Sequence, residues 1–202
     1  MLRLYLVRHG VTDWNAEGRL QGQSDTPLAP EGIEQARKLA SRLSQEKIDA
    51  VWSSDLQRAR QSAEIIANPH GLEVILSPVL REASFGLWEG LTESEIIALG
   101  QEDQWRNYRA NSLTHRPPEG ELLEEICERM LKVLEQIKVA NPSGTVVVVG
   151  HGGSLRAILC DALGSPIPAW RRLSLSNACL NLIEYWDSGP MVKLLNDTCH
   201  LR

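Results

Sequence analysis

The run TVVVV, residues 145–149, constrains the fold more than any other part of the sequence. Its β-branched residues suit a strand that is buried on both faces, because apolar side chains occupy both sides of such a strand. A second, mostly apolar run, Leu2–Val7, stands at the start. One residue beyond each run comes a histidine followed by a glycine, His151 in the first case and His9 in the second. The sequence therefore predicts two buried strands that end in the same way.

Helical patterns separate the predicted strands. Pro30 is typical of a first helical turn, and apolar residues follow it at helical spacing. Short strands are expected near residues 50–53 and 72–76, a long amphipathic helix precedes the valine run, and two strands joined at a turn near residues 187–189 end the chain. Alternating strands and helices predict an α/β fold, with helices on both sides of a mostly parallel central sheet.

Length and composition limit the classes of protein to consider. The 202 residues suit a single domain over residues 1–202, with a partly helical cap segment at about residues 85–121. A net charge of -5 argues against nucleic-acid partners and against an anionic membrane surface. No apolar run approaches the ~20 residues that a membrane helix needs, and the start does not resemble a signal peptide. The four cysteines are scattered, which favours reduced thiols and a cytoplasmic location.

The two histidines are expected at one pocket. In an open parallel sheet, ligands bind beyond the carboxyl ends of the strands, so neighbouring strands would bring His9 and His151 together. Arg8 arrives with His9, and Arg58 lies in the first turn of a helix that follows another strand. Two arginines and two histidines at one spot repel one another unless an anion lies among them. A tetrahedral phosphate fits this set, and backbone N–H groups of the helix that starts near Gly152 are further donors.

Each of these features has a simpler interpretation when taken alone. A histidine after a strand is more often a core or capping residue, and an arginine such as Arg58 is most often a solvated helix residue. The sequence GHGGS is not a nucleotide-binding P-loop, because it lacks the Gly-Lys-Ser/Thr ending. The prediction of a phosphate site depends on the features occurring together at corresponding strand ends.

Four segments resemble the successive motifs of the histidine phosphatase superfamily, in its phosphoglycerate-mutase-like branch: LVRHGVTDWN, SSDLQRARQSAEII, LREASFGLWEGLT and VVVVGHGG. The resemblance covers nearly the whole chain in the right order and spacing. It implies a phosphoglycerate mutase-like fold, and phosphoryl transfer through a phosphohistidine without a metal or another cofactor.

The resemblance also implies a role for individual residues. His9 corresponds to the nucleophile, and Arg8, Arg58 and His151 correspond to the clamp that holds the phosphate. Glu82 corresponds to the proton donor. Attack needs a neutral His9 ring whose second nitrogen donates to a backbone carbonyl. Further phosphate or substrate contacts are expected from Asn15, Gln21 and Gly22.

The segment after the proposed acid favours a phosphatase. The classical mutases of the family have a Tyr-Gly pair and a Gly-Leu-Asn-Lys run there, whereas this chain has FGLWEGLTESEI. That segment is similar to α-ribazole phosphatases and metal-independent phosphoserine phosphatases. Leu122 stands where relatives often have a serine, so any contact from that serine is absent. The favoured function is hydrolysis of a small-molecule phosphate ester. The alternatives are a cofactor-dependent phosphoglycerate mutase, a metallohydrolase and a non-catalytic phospho-ligand sensor.

The cap segment is the expected source of specificity. Trp88, Trp105, Tyr108 and His115 are candidates to cover the pocket, together with three arginines. The hypothesis is that one of the arginines faces a substrate carboxylate, the alternative being that the tryptophans are packing groups and the arginines a solvated helix face. These arginines are Arg106, Arg109 and Arg116. The sequence leaves the substrate and the oligomeric state open, with a homodimer among the options.

Overall fold

A six-stranded sheet forms the centre of the computed structural model, which describes all 202 residues. Its strands are β1 (Leu2–Arg8), β2 (Ala50–Ser53), β3 (Val74–Leu76), β4 (Gly144–Gly150), β5 (Leu180–Trp186) and β6 (Gly189–Asp197). They lie in the order β3-β2-β4-β1-β5-β6. The first four are mutually parallel, and β5 and β6 run antiparallel to their neighbours. The predicted α/β fold with a mostly parallel sheet is confirmed.

Seven helices surround or extend the sheet: α1 (Asp13–Ala16), α2 (Pro30–Leu43), α3 (Gln57–Ala67), α4 (Glu93–Ala98), α5 (Glu102–Ala110), α6 (Leu123–Ala140) and α7 (Gly152–Ala162). Pro30 occupies the first position of α2, as its missing N–H and fixed φ favour. A 3-10 segment over Ile167–Arg172 follows α7, and the sequence did not predict it. None of the helices is long and apolar enough to cross a bilayer.

Alternate residues of β1 and β4 enter two separate cores. Leu4 and Val146 pack in the core that includes α6 and α7, whereas Tyr5 and Val147 pack in the core that includes α2 and α3. This alternation follows from the period of two along a strand. Because both faces of the central strands are buried, the valine run of β4 has the composition that its position requires.

The pairing of β1 with β4 determines where the site lies. Arg8 is in register with Gly150, and the N–H of His9 donates to the carbonyl oxygen of Gly150 at 3.0 Å. His9 and His151 therefore leave the sheet side by side at its carboxyl edge. The α3 helix starts at the same edge, four residues after β2, and brings Arg58 there.

The segment between β3 and α6 has a small core of its own. Trp88, Ile96, Trp105 and Tyr108 form a separate buried cluster, with Trp88 fully buried. Tyr108 and Trp105 lie edge-on or tilted to their aromatic neighbours at centroid distances of 5.5–6.2 Å. This cluster holds α4 and α5 against the edge of the site. Trp88 is therefore a packing group, and Trp105 packs against it.

Candidate active site

His9 and His151 lie next to each other at the carboxyl edge of the sheet. Their ring centroids are 5.1 Å apart with an interplanar angle of 61°. His9 is 3% exposed and His151 is fully buried. Two residues separated by more than 140 positions in the chain thus form one wall of a small polar hole.

The His9 ring is fixed in the orientation that a nucleophile needs. Its Nδ1 lies 2.7 Å from the carbonyl oxygen of Gly10, which can only accept, so Nδ1 carries the hydrogen and Nε2 has a free lone pair. Burial lowers the pKa of His9 well below its ordinary value, and the nearby charges of Arg58 and Arg8 lower it further. The ring is therefore neutral at pH 7, as attack on phosphorus requires.

Arg8 and Arg58 are held by carbonyl oxygens and not by carboxylates. Arg8 donates to the carbonyl oxygen of Leu175 at 2.6 Å, and Arg58 donates to those of Ser24 and Gly22 at 2.7 and 2.6 Å. The Nε of each arginine is buried without a partner. Burial lowers the pKa of Arg58 to about 10, which leaves it charged at neutral pH. Two positioned cations that form no ion pair suit the binding of an anion.

The His151 ring also has buried polar atoms without hydrogen-bond partners. Neither ring nitrogen has a hydrogen-bond partner, although both are buried. Buried polar atoms without partners are rare in proteins, and functional sites are one place where they occur. Burial lowers the pKa of His151 well below its ordinary value, and the nearby Arg58 and His9 lower it further. A phosphoryl oxygen between the two rings would supply the missing partner.

Glu82 occupies the amino end of α7. Its Oε2 accepts the N–H of Gly153 at 2.8 Å, and its Oε1 accepts those of Ser154 and Ala83 at 2.8 and 2.9 Å. The sequence analysis predicted that N–H groups at the start of α7 bind phosphate, but those of Gly153 and Ser154 bind the Glu82 side chain. The N–H of Gly152 is the one that remains free for phosphate. Since Oε2 accepts one bond and Oε1 two, the lone pair left for a proton is on Oε2.

The remaining residues expected at the site lie around it in supporting positions. Asn15 belongs to the capping box of α1, where its Oδ1 accepts the N–H of Thr12 at 3.1 Å. Gln21 is buried, and its Oε1 accepts the hydroxyl of Thr26 at 2.8 Å. Gly22 contributes its carbonyl oxygen to Arg58. Asn15 and Gln21 thus form hydrogen bonds within their own loops, and Gly22 positions Arg58.

Two residues that the sequence analysis did not single out hold the His9 loop. Asn177 donates to the carbonyl oxygens of His9 and Gly10, and Ser62 accepts the N–H of Gly10 at 3.2 Å. Ser62 is on α3, four residues after Arg58, so helical spacing was a usable signal for it. No motif marks Asn177; only the antiparallel placement of β5 beside β1 brings it to His9.

A cavity of about 220 Å³ lies beside Glu82 and the start of α7. Its polar lining includes Arg8, Arg109, Arg156 and Arg171, and its apolar lining includes Phe85, Trp105, Tyr108 and Trp170. A larger groove of about 780 Å³ lies between α2 and α3, and none of the site residues lines it. The smaller cavity is lined by Arg8, Glu82 and Gly152 and so adjoins the hole between the histidines.

The three cap arginines differ in where they lie. Arg109 lines the cavity beside Glu82, with its guanidinium 5.6 Å from the ring centroid of Trp105. Arg106 is exposed and pairs with Glu102 at 2.7 Å, and Arg116 pairs with Glu125 at 3.1 Å. His115 is exposed and lines another cavity together with Arg116. Nowhere in the chain do three or more His, Cys, Asp or Glu side chains come together as a metal site would require.

Comparisons with known proteins agree on the family and differ on the activity. The family model described as the histidine phosphatase superfamily (branch 1) matches residues 4–198. A relative from Serratia proteamaculans named "Probable phosphoglycerate mutase GpmB" is 40% identical over 100% of this chain and 95% of its own length. Among solved structures, a phosphoserine phosphatase from Entamoeba histolytica has a TM-score of 0.88 and 28% identity, with 100% of both chains covered. An alpha-ribazole phosphatase from Shigella flexneri has a TM-score of 0.90 and 26% identity, with 96% of both covered.

Proposed function

Because the chain belongs to the histidine phosphatase superfamily, branch 1, we propose that it is a phosphomonoesterase that hydrolyses small phosphorylated metabolites through a phosphohistidine on His9, without a metal ion. The observation that carries this proposal is the free Nε2 of a neutral, buried His9 beside His151 and two arginines that form no ion pair. We assign the activity to the cytoplasm, where the four free cysteines would stay reduced.

In the first step, Nε2 of His9 attacks the phosphorus of the bound ester. The bond from phosphorus to the ester oxygen breaks, and the Oε2 proton of Glu82 passes to that oxygen, so the alcohol leaves neutral. Arg8, Arg58 and His151 stabilise the charge on the other phosphoryl oxygens as the group moves. The Nδ1–H of His9 stays on the carbonyl oxygen of Gly10, which balances the positive charge that develops on the ring.

In the second step, water attacks the phosphohistidine. The Glu82 carboxylate takes a proton from the water, the bond from phosphorus to Nε2 breaks, and inorganic phosphate forms. His9 returns to the neutral ring and Glu82 to the carboxylic acid. One acid thus serves both steps, and no further reactant is needed.

Hydrolysis is favoured over mutase activity by the segment that follows Glu82. A mutase must keep water away from the phosphohistidine until a phosphoglycerate has bound again and accepted the phosphoryl group. In this chain Trp88 packs in the cap core and Thr92 caps α4, so neither side chain serves the substrate. Glu89 accepts N–H groups of Gln23 and Phe85 and ties two loops together. The name of the GpmB relatives keeps a cofactor-dependent mutase as the second candidate.

The test compares both activities in one preparation. The purified protein is given 3-phosphoglycerate with a chelator, and phosphate release is measured beside formation of 2-phosphoglycerate, with and without 2,3-bisphosphoglycerate. We expect phosphate release to be the faster reaction and to be insensitive to the chelator. A mutase rate that exceeds hydrolysis would overturn the proposal.

A labelling experiment tests the intermediate. Acid-labile, base-stable label from a ³²P-phosphate ester should appear on the wild-type protein after rapid quenching and be absent from His9→Ala. His70→Ala is the matched control, because His70 follows the far end of α3, on the order of 16 Å along the helix from the site edge. Label that persists in His9→Ala would place the phosphoryl group elsewhere and end the proposal.

A further inference from the structure

Arginines other than the phosphate clamp surround the cavity beside Glu82. Arg156 is on α7, four residues after Gly152, so both face the cavity from the same side of the helix. Arg171 lies in the 3-10 segment after α7, and Arg109 approaches from α5. With Arg8, four guanidinium groups line a space of about 220 Å³.

These arginines form no ion pair at contact distance, although the Glu82 carboxyl on the same cavity interacts with Arg8 and Arg156 over a longer distance. The ion pairs of the chain are all made by other arginines and lysines. Arg156 makes no hydrogen bond, and its Nε is buried without a partner. Arg171 uses one N–H, which donates to the carbonyl oxygen of Tyr108 at 2.8 Å. Partly buried cations that form no ion pair cost free energy, and a ligand anion in contact with them would offset that cost.

Aromatic rings hold the guanidinium groups by their faces. Arg156 lies 4.8 Å from the ring centroid of Trp170, and Arg171 lies 5.2 Å from that of Tyr108. The indole N–H of Trp170 donates to the carbonyl oxygen of Gly153 at 2.8 Å, which fixes this ring to the start of α7. Stacking occupies the faces of a guanidinium and leaves its N–H edges free to donate.

We propose that Arg156 and Arg171 bind a carboxylate that the substrate carries in addition to its phosphate, so that the preferred substrates are small phosphorylated acids. The inference rests on the proposed function, since it assigns a substrate class to the same site. The planar fork of arginine matches a carboxylate, and the cavity begins at Glu82, where the ester oxygen would lie. Arg109, exposed at the rim, adds positive charge to the entrance.

The size of the cavity supports the same substrate class. The volume of about 220 Å³ suits a short carbon chain with a carboxylate. A phosphate ester with a large ring system would have to extend past the rim at Arg109.

The experiment compares pairs of esters that differ in the carboxylate. Phosphate release from 3-phosphoglycerate is compared with release from glycerol 3-phosphate, in which CH₂OH replaces the carboxylate, and phosphoserine is compared with phosphoethanolamine. We expect wild-type kcat/KM to favour the acid of each pair by on the order of 10- to 100-fold, the effect of a charge-assisted hydrogen bond. Arg156→Gln and Arg171→Gln should each reduce this ratio about tenfold. Arg156→Lys, which keeps the charge but loses the fork, should give an intermediate ratio.

Arg106→Gln is the control, because Arg106 is exposed on α5 and pairs with Glu102; its ratio should equal that of the wild type. Hydrolysis of both members of each pair at equal kcat/KM would overturn this inference and leave the proposed function standing. So would a wild-type preference that neither Arg156→Gln nor Arg171→Gln changes. Failure to release phosphate from any ester would overturn the proposed function, and the inference with it.

Discussion

The side-chain amide of Asn177 donates to the main-chain carbonyl oxygen of His9, 3.2 Å away. The same amide lies 3.3 Å from the carbonyl oxygen of Gly10 and 3.1 Å from Oδ1 of Asn15. Since the Gly10 carbonyl also accepts Nδ1–H of His9, one amide group holds both the backbone of the nucleophile and the acceptor that fixes its tautomer. Asn177 is therefore a positioning residue for the proposed reaction.

Replacing Asn177 by alanine should lower kcat more than it changes KM. The carbonyl oxygens of His9 and Gly10 each lose one donor and keep another, the N–H of Ala178 and the Nδ1–H of His9. Losing such hydrogen bonds costs ~0.5–1.5 kcal/mol, which corresponds to about twofold to tenfold in rate. The comparison is steady-state kinetics of Asn177→Ala and Asn141→Ala. Asn141 has a similar local role, donating to the carbonyl oxygen of Ile137 at the end of α6. Equal kcat values for Asn177→Ala and the wild type would refute the positioning role.

Glu82→Gln should separate the two chemical steps. With p-nitrophenyl phosphate, the leaving group departs without a proton, so phosphorylation of His9 continues in the variant. The water step still needs a base, and its loss should slow turnover about 10²- to 10⁴-fold. Stopped-flow absorbance should therefore show a burst of nitrophenolate equal to the enzyme concentration, followed by slow release.

The substitution has a structural effect that must be measured in parallel. A glutamine places an NH₂ group where an Oε now accepts a backbone N–H, so one of the three hydrogen bonds is lost. Thermal unfolding reports that loss independently of activity. Glu73→Gln, at an exposed position, should leave both burst and turnover as in the wild type. Equal slowing of burst and turnover by Glu82→Gln would contradict the assignment.

The parts of the site that lie at strand ends could be predicted from the sequence. A strand has a short, strong apolar pattern, and parallel neighbours must end at the same edge, so His9 and His151 were expected together. Arg58 was expected there too, because its helix follows a strand of the same sheet. The family motifs then supplied Glu82, which lies outside any regular element.

The residues contributed by loops and by the antiparallel strands could not be predicted in this way. Asn177 reaches His9 because β5 starts where the antiparallel β1 ends, and no local pattern gives that pairing. Arg171 lies in a 3-10 segment without periodicity. Arg156 could have been predicted, because it lies one helical turn after Gly152. Two of the three cap arginines, Arg106 and Arg116, are instead paired with glutamates on the surface.

Gly22→Ala should impair both folding and catalysis. Gly22 has a φ of +54°, which favours glycine, and an added Cβ would collide with Oε1 of Glu89. The Glu89 carboxyl would have to move and lose its bonds to the N–H groups of Gln23 and Phe85. This disturbs the loop whose Gly22 carbonyl oxygen holds Arg58 at 2.6 Å. We expect a loss of ~1–3 kcal/mol in the free energy of unfolding, together with a lower kcat/KM.

Gly71→Ala is the matched control for that variant. Gly71 has a φ of +65°, but nothing lies within 4 Å of its added Cβ. This substitution should lower the unfolding temperature through backbone strain alone and leave kcat/KM unchanged. A Gly22→Ala enzyme with wild-type kcat/KM would show that the contact between this loop and Arg58 does not matter for catalysis.

The stability of the protein should fall as the pH is lowered from about 7 towards 5.5. Burial lowers the pKa values of His9 and His151 in the folded state, whereas in the unfolded chain both titrate near the ordinary value of 6.5. Below that pH the unfolded state binds more protons than the folded state, so protonation favours unfolding. Each such histidine contributes a slope of up to ~1.4 kcal/mol per pH unit, and the stabilising neutral form is fully present only above the unfolded pKa.

The measurement is the free energy of unfolding by urea across this pH range, in a buffer without phosphate. Burial also lowers the pKa of His200, so the wild-type slope contains more than the two site residues. His151→Gln isolates one of them, because glutamine does not titrate, and its slope should be smaller than that of the wild type by up to ~1.4 kcal/mol per pH unit. An identical slope in both proteins would mean that His151 is protonated as readily in the folded state as in the unfolded one, which is incompatible with the buried, neutral imidazole that we assign to the phosphate hole.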